Sequence, residues 1–275
     1  MARFTINGVT IFAEQFHEKQ ERVIVLLHGF TGSTKTWQQV IPKLTDYRLV
    51  TVDLLGHGKT DAPEDIAPYS MEAQVEMLDQ LFTQLQLKAF VLLGYSMGGR
   101  VALSYAVRYT ERIEQLLLES ASPGLTNEEE RTVRKLADDA LAEKIMENGI
   151  PSFVDTWENI PLFASQKALS LNIQNEIRAE RLQQSARGLT NSLRGVGTGV
   201  MPPLWDELDK LTFPVTLLTG ALDTKFVGLA KNMLEKLQFG QHFSVSNAGH
   251  AIHVENPTKF ATIVKETISS RSADV

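Results

Sequence analysis

The chain contains no cysteine. That absence excludes disulfides, thiolate metal sites and thiol catalysis, and it fits a reducing compartment. Positive charge is in deficit as well: 27 Lys and Arg stand against 33 Asp and Glu, a net charge of −6 at neutral pH. Nucleic acid and anionic membrane surfaces require clustered positive potential, so neither is an expected partner. Long apolar runs are also missing. The purest one near the start, Val23-Ile24-Val25-Leu26-Leu27, falls far short of the roughly 20 residues that span a bilayer and suits a buried parallel strand. Met1 to Glu14 reads as a short strand or hairpin around Asn7-Gly8, not as a basic region followed by an apolar leader. The expected location is the cytoplasm.

What is present is length and alternation. A chain of 275 residues with 43% hydrophobic side chains can bury a full core. Apolar, β-rich runs recur at Val23–Leu27, Leu49–Asp53, Phe90–Leu93, Ile113–Glu119 and Val215–Thr219, separated by stretches long enough for crossover helices. Between Tyr69 and Leu85 the apolar residues Met71, Val75, Leu78, Leu81, Phe82 and Leu85 fall at helical spacing on one face. The alternation stops after Ser120, and residues 121–204 are rich in helix formers and charges with no clear buried strand. The predicted fold class is α/β: a mostly parallel, doubly wound sheet built from residues 1–120 and 205–275, with 121–204 inserted as a helical lid.

Gly94-Tyr95-Ser96-Met97-Gly98 lies directly between the predicted strand Phe90–Leu93 and a predicted helix beginning Gly99-Arg100-Val101. A bare G-x-S-x-G arises often by chance, but in this setting it reads as the nucleophile elbow of an α/β-hydrolase fold. The sharp turn strains the central residue, and glycines two positions away on either side relieve collisions. A serine hydroxyl needs an imidazole to take its proton and an acid to hold that imidazole in the right tautomer. Asp223, just past the strand Val215–Thr219, and His250, in Ala248-Gly249-His250, follow in the order Ser, Asp, His. Taken singly, each reads more simply as a loop residue; His253 is the rival base, placed where a short helix begins. The loop His28-Gly29-Phe30-Thr31-Gly32 occupies the position that supplies one oxyanion donor in this fold, so the amides of Phe30 and Met97 are the candidate pair. His57, in the loop after the next strand, is expected to be structural.

Arg100 is out of place among the apolar residues of its helix. Four residues beyond Ser96, it should lie on the nucleophile's side, where a guanidinium either meets an anionic ligand or closes an internal salt bridge. The following segment adds Arg131, Arg134, Arg178, Arg181, Arg187 and Arg194, most of them expected to be solvated or paired with acidic neighbours.

Together, Gly94-Tyr95-Ser96-Met97-Gly98-Gly99-Arg100-Val101-Ala102, Ser122-Pro123-Gly124-Leu125, Trp157 before Pro161-Leu162-Phe163-Ala164-Ser165, Asp223-Thr224-Lys225-Phe226 and Ala248-Gly249-His250 form one pattern. From about Val23 to Pro257 the chain resembles the 2-succinyl-6-hydroxy-2,4-cyclohexadiene-1-carboxylate synthases of menaquinone biosynthesis. The resemblance implies a lyase that eliminates pyruvate from an enolpyruvyl-substituted cyclohexene carrying three carboxylates, with the triad serine acting as a base. It places the triad on Ser96, Asp223 and His250, and substrate contacts on Tyr95, Arg100, Arg134, Trp157 and Arg181, with Arg178 one helical turn from the last. It implies a small tricarboxylate substrate, no metal or organic cofactor, and a monomer or small homo-oligomer. Several fixed cations suit such a substrate, whereas an ester of a neutral lipid needs none. Ser122, where histidine can stand in that family, and Thr60, where serine is common, depart from the pattern without touching the proton transfer. A carboxylesterase or carbon–carbon bond hydrolase using the same triad is the alternative, and a non-catalytic binding module would carry a broken triad.

Overall fold

The computed structural model describes residues 2–269. Strands β1 (Ala2–Ile6) and β2 (Val9–Phe16) form the expected hairpin, with Asn7 and Gly8 both at positive φ, as a two-residue hairpin turn demands. Then follow β3 (Val23–Leu27), β4 (Arg48–Val52), α1 (Met71–Gln84), β5 (Phe90–Tyr95), α2 (Met97–Arg108) and β6 (Ile113–Glu119). Helices α3 (Glu128–Trp157), α4 (Leu171–Leu182) and α5 (Ala186–Val196) separate β6 from β7 (Val215–Gly220). The last described elements are α6 (Thr224–Leu234), β8 (Gly240–Val245), α7 (Ile252–Glu255) and α8 (Pro257–Ser269).

The described strands make one eight-stranded sheet in the order β1-β2-β4-β3-β5-β6-β7-β8, antiparallel at β1-β2-β4 and parallel from β4 onward. Central strands are apolar at every position because both faces are covered. Val23, Val25 and Leu27 join the core under α1, α2 and α6, while Ile24 and Leu26 face Trp37 and Phe260 on the other side. Register decides where chemistry collects: Leu27 pairs with Gly94, Tyr95 with Glu119, and Glu119 with Leu218. The loops after β3, β5, β6 and β7 therefore emerge together at the carboxyl edge of the sheet.

Two boundaries differ from the expected ones. β4 stops at Val52, because Asp53 turns its carboxylate to the Thr34 amide (2.6 Å) and the Lys59 amide (2.7 Å) and ties two loops together. β5 runs on through Gly94 and Tyr95, which stay in register with β6.

Between β6 and β7 the described chain is helical. α3 breaks at Gly149 (φ 76°), just before Ile150-Pro151, where proline cannot supply the helical N–H. Ala142, Ile145, Phe153, Val154, Leu189 and Leu193 bury one another in a small separate core, against which Phe30 and Trp157 pack. Arg178 pairs with Asp155 and Glu158, Arg187 with Glu64, and Arg194 with Asp139, while Arg131 donates to the Gly199 carbonyl.

Candidate active site

Ser96 sits at the tip of the β5–α2 turn with φ 52° and ψ −108°, a region that non-glycine residues occupy only where the surroundings enforce it. The enforcement is visible in its glycines. A Cβ on Gly94 would overlap the backbone of Gly98 and Gly99, and one on Gly98 would overlap the carbonyls of Leu27 and His28, so α2 starts flush against β3 and β5.

The Ser96 Oγ lies 3.0 Å from His250 Nε2, and His250 Nδ1 lies 2.7 Å from Asp223 Oδ2. His250 thus has one nitrogen to receive the serine proton and another to donate to the carboxylate. Asp223 caps α6, and its Oδ1 accepts the Phe226 amide at 3.4 Å. Aromatic rings surround the imidazole: Phe226 at 4.7 Å, Tyr95 at 5.4 Å and Phe163 at 6.3 Å between centroids. Phe226 and Phe163 fix the ring and exclude water, and neither role is visible in the sequence because a lone Phe reads as core.

His253, the rival base, points away. Its Nδ1 lies 2.8 Å from Glu119 Oε2, its amide donates to Glu119 Oε1, and both side chains are fully buried. His57 is also buried, bonded to the Leu55 carbonyl at 3.1 Å. Beside it, His28 accepts the Leu54 amide at Nε2 and donates Nδ1–H to the Gly29 carbonyl. Burial pulls the His28 pKa down to about 4; burial and the neighbouring His28 pull that of His57 down to about 3. Both rings are neutral struts under the Gly29–Gly32 turn.

In that turn the Gly32 amide bonds the Gly29 carbonyl. The Phe30 amide has no backbone acceptor among the described residues. Met97 is the first residue of α2, where a helical N–H points outward. Both residues line the cavity that contains Ser96 and His250, about 370 Å³ in volume.

Arg100 lines the same cavity, as do Arg134, Trp157, Tyr95 and Lys225. Its guanidinium donates to the Val196 carbonyl and approaches Met201 Sδ at 3.6 Å, with no carboxylate in direct contact among the described residues. Burial, then Arg134, lower its pKa to about 10, against the opposing pull of Asp138, so it remains a cation at neutral pH. Arg134 is bonded to Asp138 at 2.9 Å, four residues on along the same helix. Asp138 is 5% exposed, and desolvation pushes its carboxyl upward. The indole N–H of Trp157 is buried with no hydrogen-bond partner, among the rings of Phe30, Phe153 and Phe163.

Arg181 occupies different ground. It lines an adjoining cavity of about 340 Å³ that shares Phe30, Tyr95 and Phe163 with the first. Its guanidinium stacks 4.6 Å from the Phe163 ring and reaches Gln166 at 3.3 Å; only 6% of the residue is exposed. Phe163 therefore separates Arg181 from His250. Arg178, by contrast, is committed to its two surface carboxylates. Tyr95 forms part of both cavity walls, and burial together with Glu119 raises its phenol well above the ordinary range.

Sheet order and a strained serine at the β5–α2 turn define the class: this is an α/β-hydrolase fold, and residues 22–257 match the family model of that description. Within it, the chain belongs to the 2-succinyl-6-hydroxy-2,4-cyclohexadiene-1-carboxylate synthase family. It is 44% identical over 264 residues, 96% of each chain, to a Bacillus subtilis (strain 168) protein named as a putative synthase of that kind. It is 29% identical to the Enterobacter sp. (strain 638) synthase, over 92% of this chain and 93% of that one. The structure of MenH from S. aureus superposes with a TM-score of 0.90 at 38% identity, covering 94% of this chain and 98% of that one. A Thermogutta terrifontis esterase, 23% identical with a TM-score of 0.84, shares the fold.

Proposed function

We propose that this chain eliminates pyruvate from 2-succinyl-5-enolpyruvyl-6-hydroxy-3-cyclohexene-1-carboxylate, yielding 2-succinyl-6-hydroxy-2,4-cyclohexadiene-1-carboxylate, a step of menaquinone biosynthesis. The observation that carries this reading is Arg100. A half-buried cation without a carboxylate in direct contact, in the same cavity as Ser96 and His250, is suited to an anion that completes it. A tricarboxylate supplies that anion, and Arg134 and Lys225 line the same walls.

His250 takes the Ser96 proton, with Asp223 holding its tautomer, and the serine oxygen removes the ring proton next to the succinyl ketone. The electron pair moves onto the ketone oxygen as an enolate, met by the amides of Phe30 and Met97. Collapse of the enolate forms the 2,3 double bond, shifts the 3,4 double bond to 4,5 and breaks the ring carbon–oxygen bond at position 5; pyruvate leaves as its enolate, takes up the abstracted proton and ketonises. No covalent acyl intermediate enters. Residues 121–204 act as a lid over the core of 1–120 and 205–275, carrying Arg134, Trp157 and Arg181 to the substrate.

No described helix is long and apolar enough to cross a membrane. The cysteine-free composition fits a cytoplasmic enzyme, and the net charge of −6 fits a small-molecule substrate better than nucleic acid; the assembly we propose is a monomer or small homo-oligomer. The test is pyruvate release from the enolpyruvyl substrate by wild type and Ser96→Ala, beside hydrolysis of a simple p-nitrophenyl ester. Release that disappears in Ser96→Ala supports the lyase; ester turnover without pyruvate release would assign an esterase instead.

A further inference from the structure

One face of α4 grips the loop that carries the Phe30 amide. Along that face and the turn that ends it, Glu176 accepts Gln38 Nε2 at 2.9 Å, Glu180 accepts the Ser33 hydroxyl at 2.6 Å, and Gln183 accepts Lys35 Nζ at 2.9 Å. Gln184 donates to the Gly32 carbonyl at 3.2 Å and accepts the Gly58 amide at 3.1 Å. Glu176 and Glu180 are one helical turn apart on α4, Gln183 caps its end and Gln184 follows, and four of their five partners lie between Gly32 and Gln38.

The exposed contacts in this set contribute little individually. Glu180 differs because burial pushes its carboxyl upward, with Ser33 donating from both its hydroxyl and its amide as the main opposing influence. Ser33 is itself only 5% exposed and caps the 3-10 turn Thr34–Trp37 by accepting the Lys35 amide. It is three residues from Phe30, across a turn closed by the Gly32-to-Gly29 hydrogen bond. Glu180 is also the immediate neighbour of Arg181, so one turn of α4 holds both the loop tether and a buried cation facing a cavity beside the reactive one.

We propose that Glu180 is a positioning residue: through Ser33 it sets the Gly29–Gly32 turn so that the Phe30 amide meets the developing enolate. The inference rests on the lyase reading for the identity of that enolate. A fixed Phe30 amide contributes to turnover rather than to uniform binding.

The experiment compares wild type, Glu180→Ala, Glu180→Gln, Ser33→Ala and the Glu180→Ala/Ser33→Ala pair. It reads kcat and KM for pyruvate release, and hydrogen exchange of the backbone amides across 29–33. Glu180→Ala and Ser33→Ala are expected to lower kcat about ten- to a hundredfold, short of the two to three powers of ten for a donor removed outright. KM should stay within about twofold, exchange across 29–33 should rise, Glu180→Gln should recover part of the loss, and the pair should be no worse than the poorer single variant. Unchanged kcat with unchanged exchange overturns the inference, and so do multiplying losses or a rise in exchange spread over the whole chain. If wild type releases no pyruvate, the lyase reading fails, and the exchange data still decide whether Glu180 sets the turn.

Discussion

Glu119 Oε2 lies 2.8 Å from His253 Nδ1, and the imidazole of that pair lies 4.6 Å from the ring of Tyr95, the residue before the nucleophile. Two histidines three positions apart thus each have a carboxylate, and one of them, His250, reaches Ser96. The Glu119 pair forms a rigid backing for the elbow: the Glu119 carbonyl accepts the Ser96 amide at 2.8 Å. Removing either partner strands a buried polar group, at a cost of about 3 kcal/mol. His253→Ala should therefore lower the melting temperature by about 5 °C. Calorimetry of the purified variant checks this, and a transition at the wild-type temperature would count against it.

Asp223→Asn should leave the fold intact and reduce turnover by about three to four powers of ten, because an amide favours the wrong imidazole tautomer. The measurement is single-turnover pyruvate release beside a far-ultraviolet spectrum. Turnover within tenfold of wild type would remove Asp223 from the triad.

Arg100→Ala removes a charged hydrogen bond worth about 1.5–3 kcal/mol, so kcat/KM for the enolpyruvyl substrate should fall roughly ten- to 150-fold. Hydrolysis of a neutral ester, if any, should change little. Equal losses on both substrates would show that Arg100 supports the elbow and not a carboxylate.

His28 and His57 set a pH dependence. Their folded pKa values, about 4 and about 3, lie below the unfolded value of 6.5. As pH falls below 6.5 the unfolded chain takes up protons that the folded chain refuses. Stability is therefore complete above that point and declines on acidification toward pH 4, at up to about 1.4 kcal/mol per pH unit for each ring. Urea midpoints measured from pH 7.5 to 4.5 should drop steeply, and less steeply in His57→Gln.

Much of this architecture was legible in the residues. β3 and β5 announce themselves because strands covered on both faces are largely apolar, β6 and β7 keep the apolar runs Leu116–Leu118 and Leu217–Leu218 between polar residues, and the glycine-flanked Ser96 marks a turn that few other sequences tolerate. The order Ser96, Asp223, His250 was readable for the same reason: each follows a strand or turn signal. Which of the two adjoining cavities Arg181 lines was not legible. Arg181 stands behind Phe163, and three-residue spacing along α4 cannot say which of two adjoining cavities a side chain enters. The Asp138 partner of Arg134 and the Ser33 partner of Glu180 went unread because the first looks like an ordinary surface pair and the second joins positions 147 residues apart.

Ser96, Asp223 and His250 hang from β5, from the end of β7 and from the loop after β8, and 95 residues of helix and turn separate β6 from β7. A nascent molecule that has zipped its first six strands therefore owns a bent serine with nothing to deprotonate it. Competence needs the last two strands on the sheet edge, so a molecule that lacks them stays chemically inert.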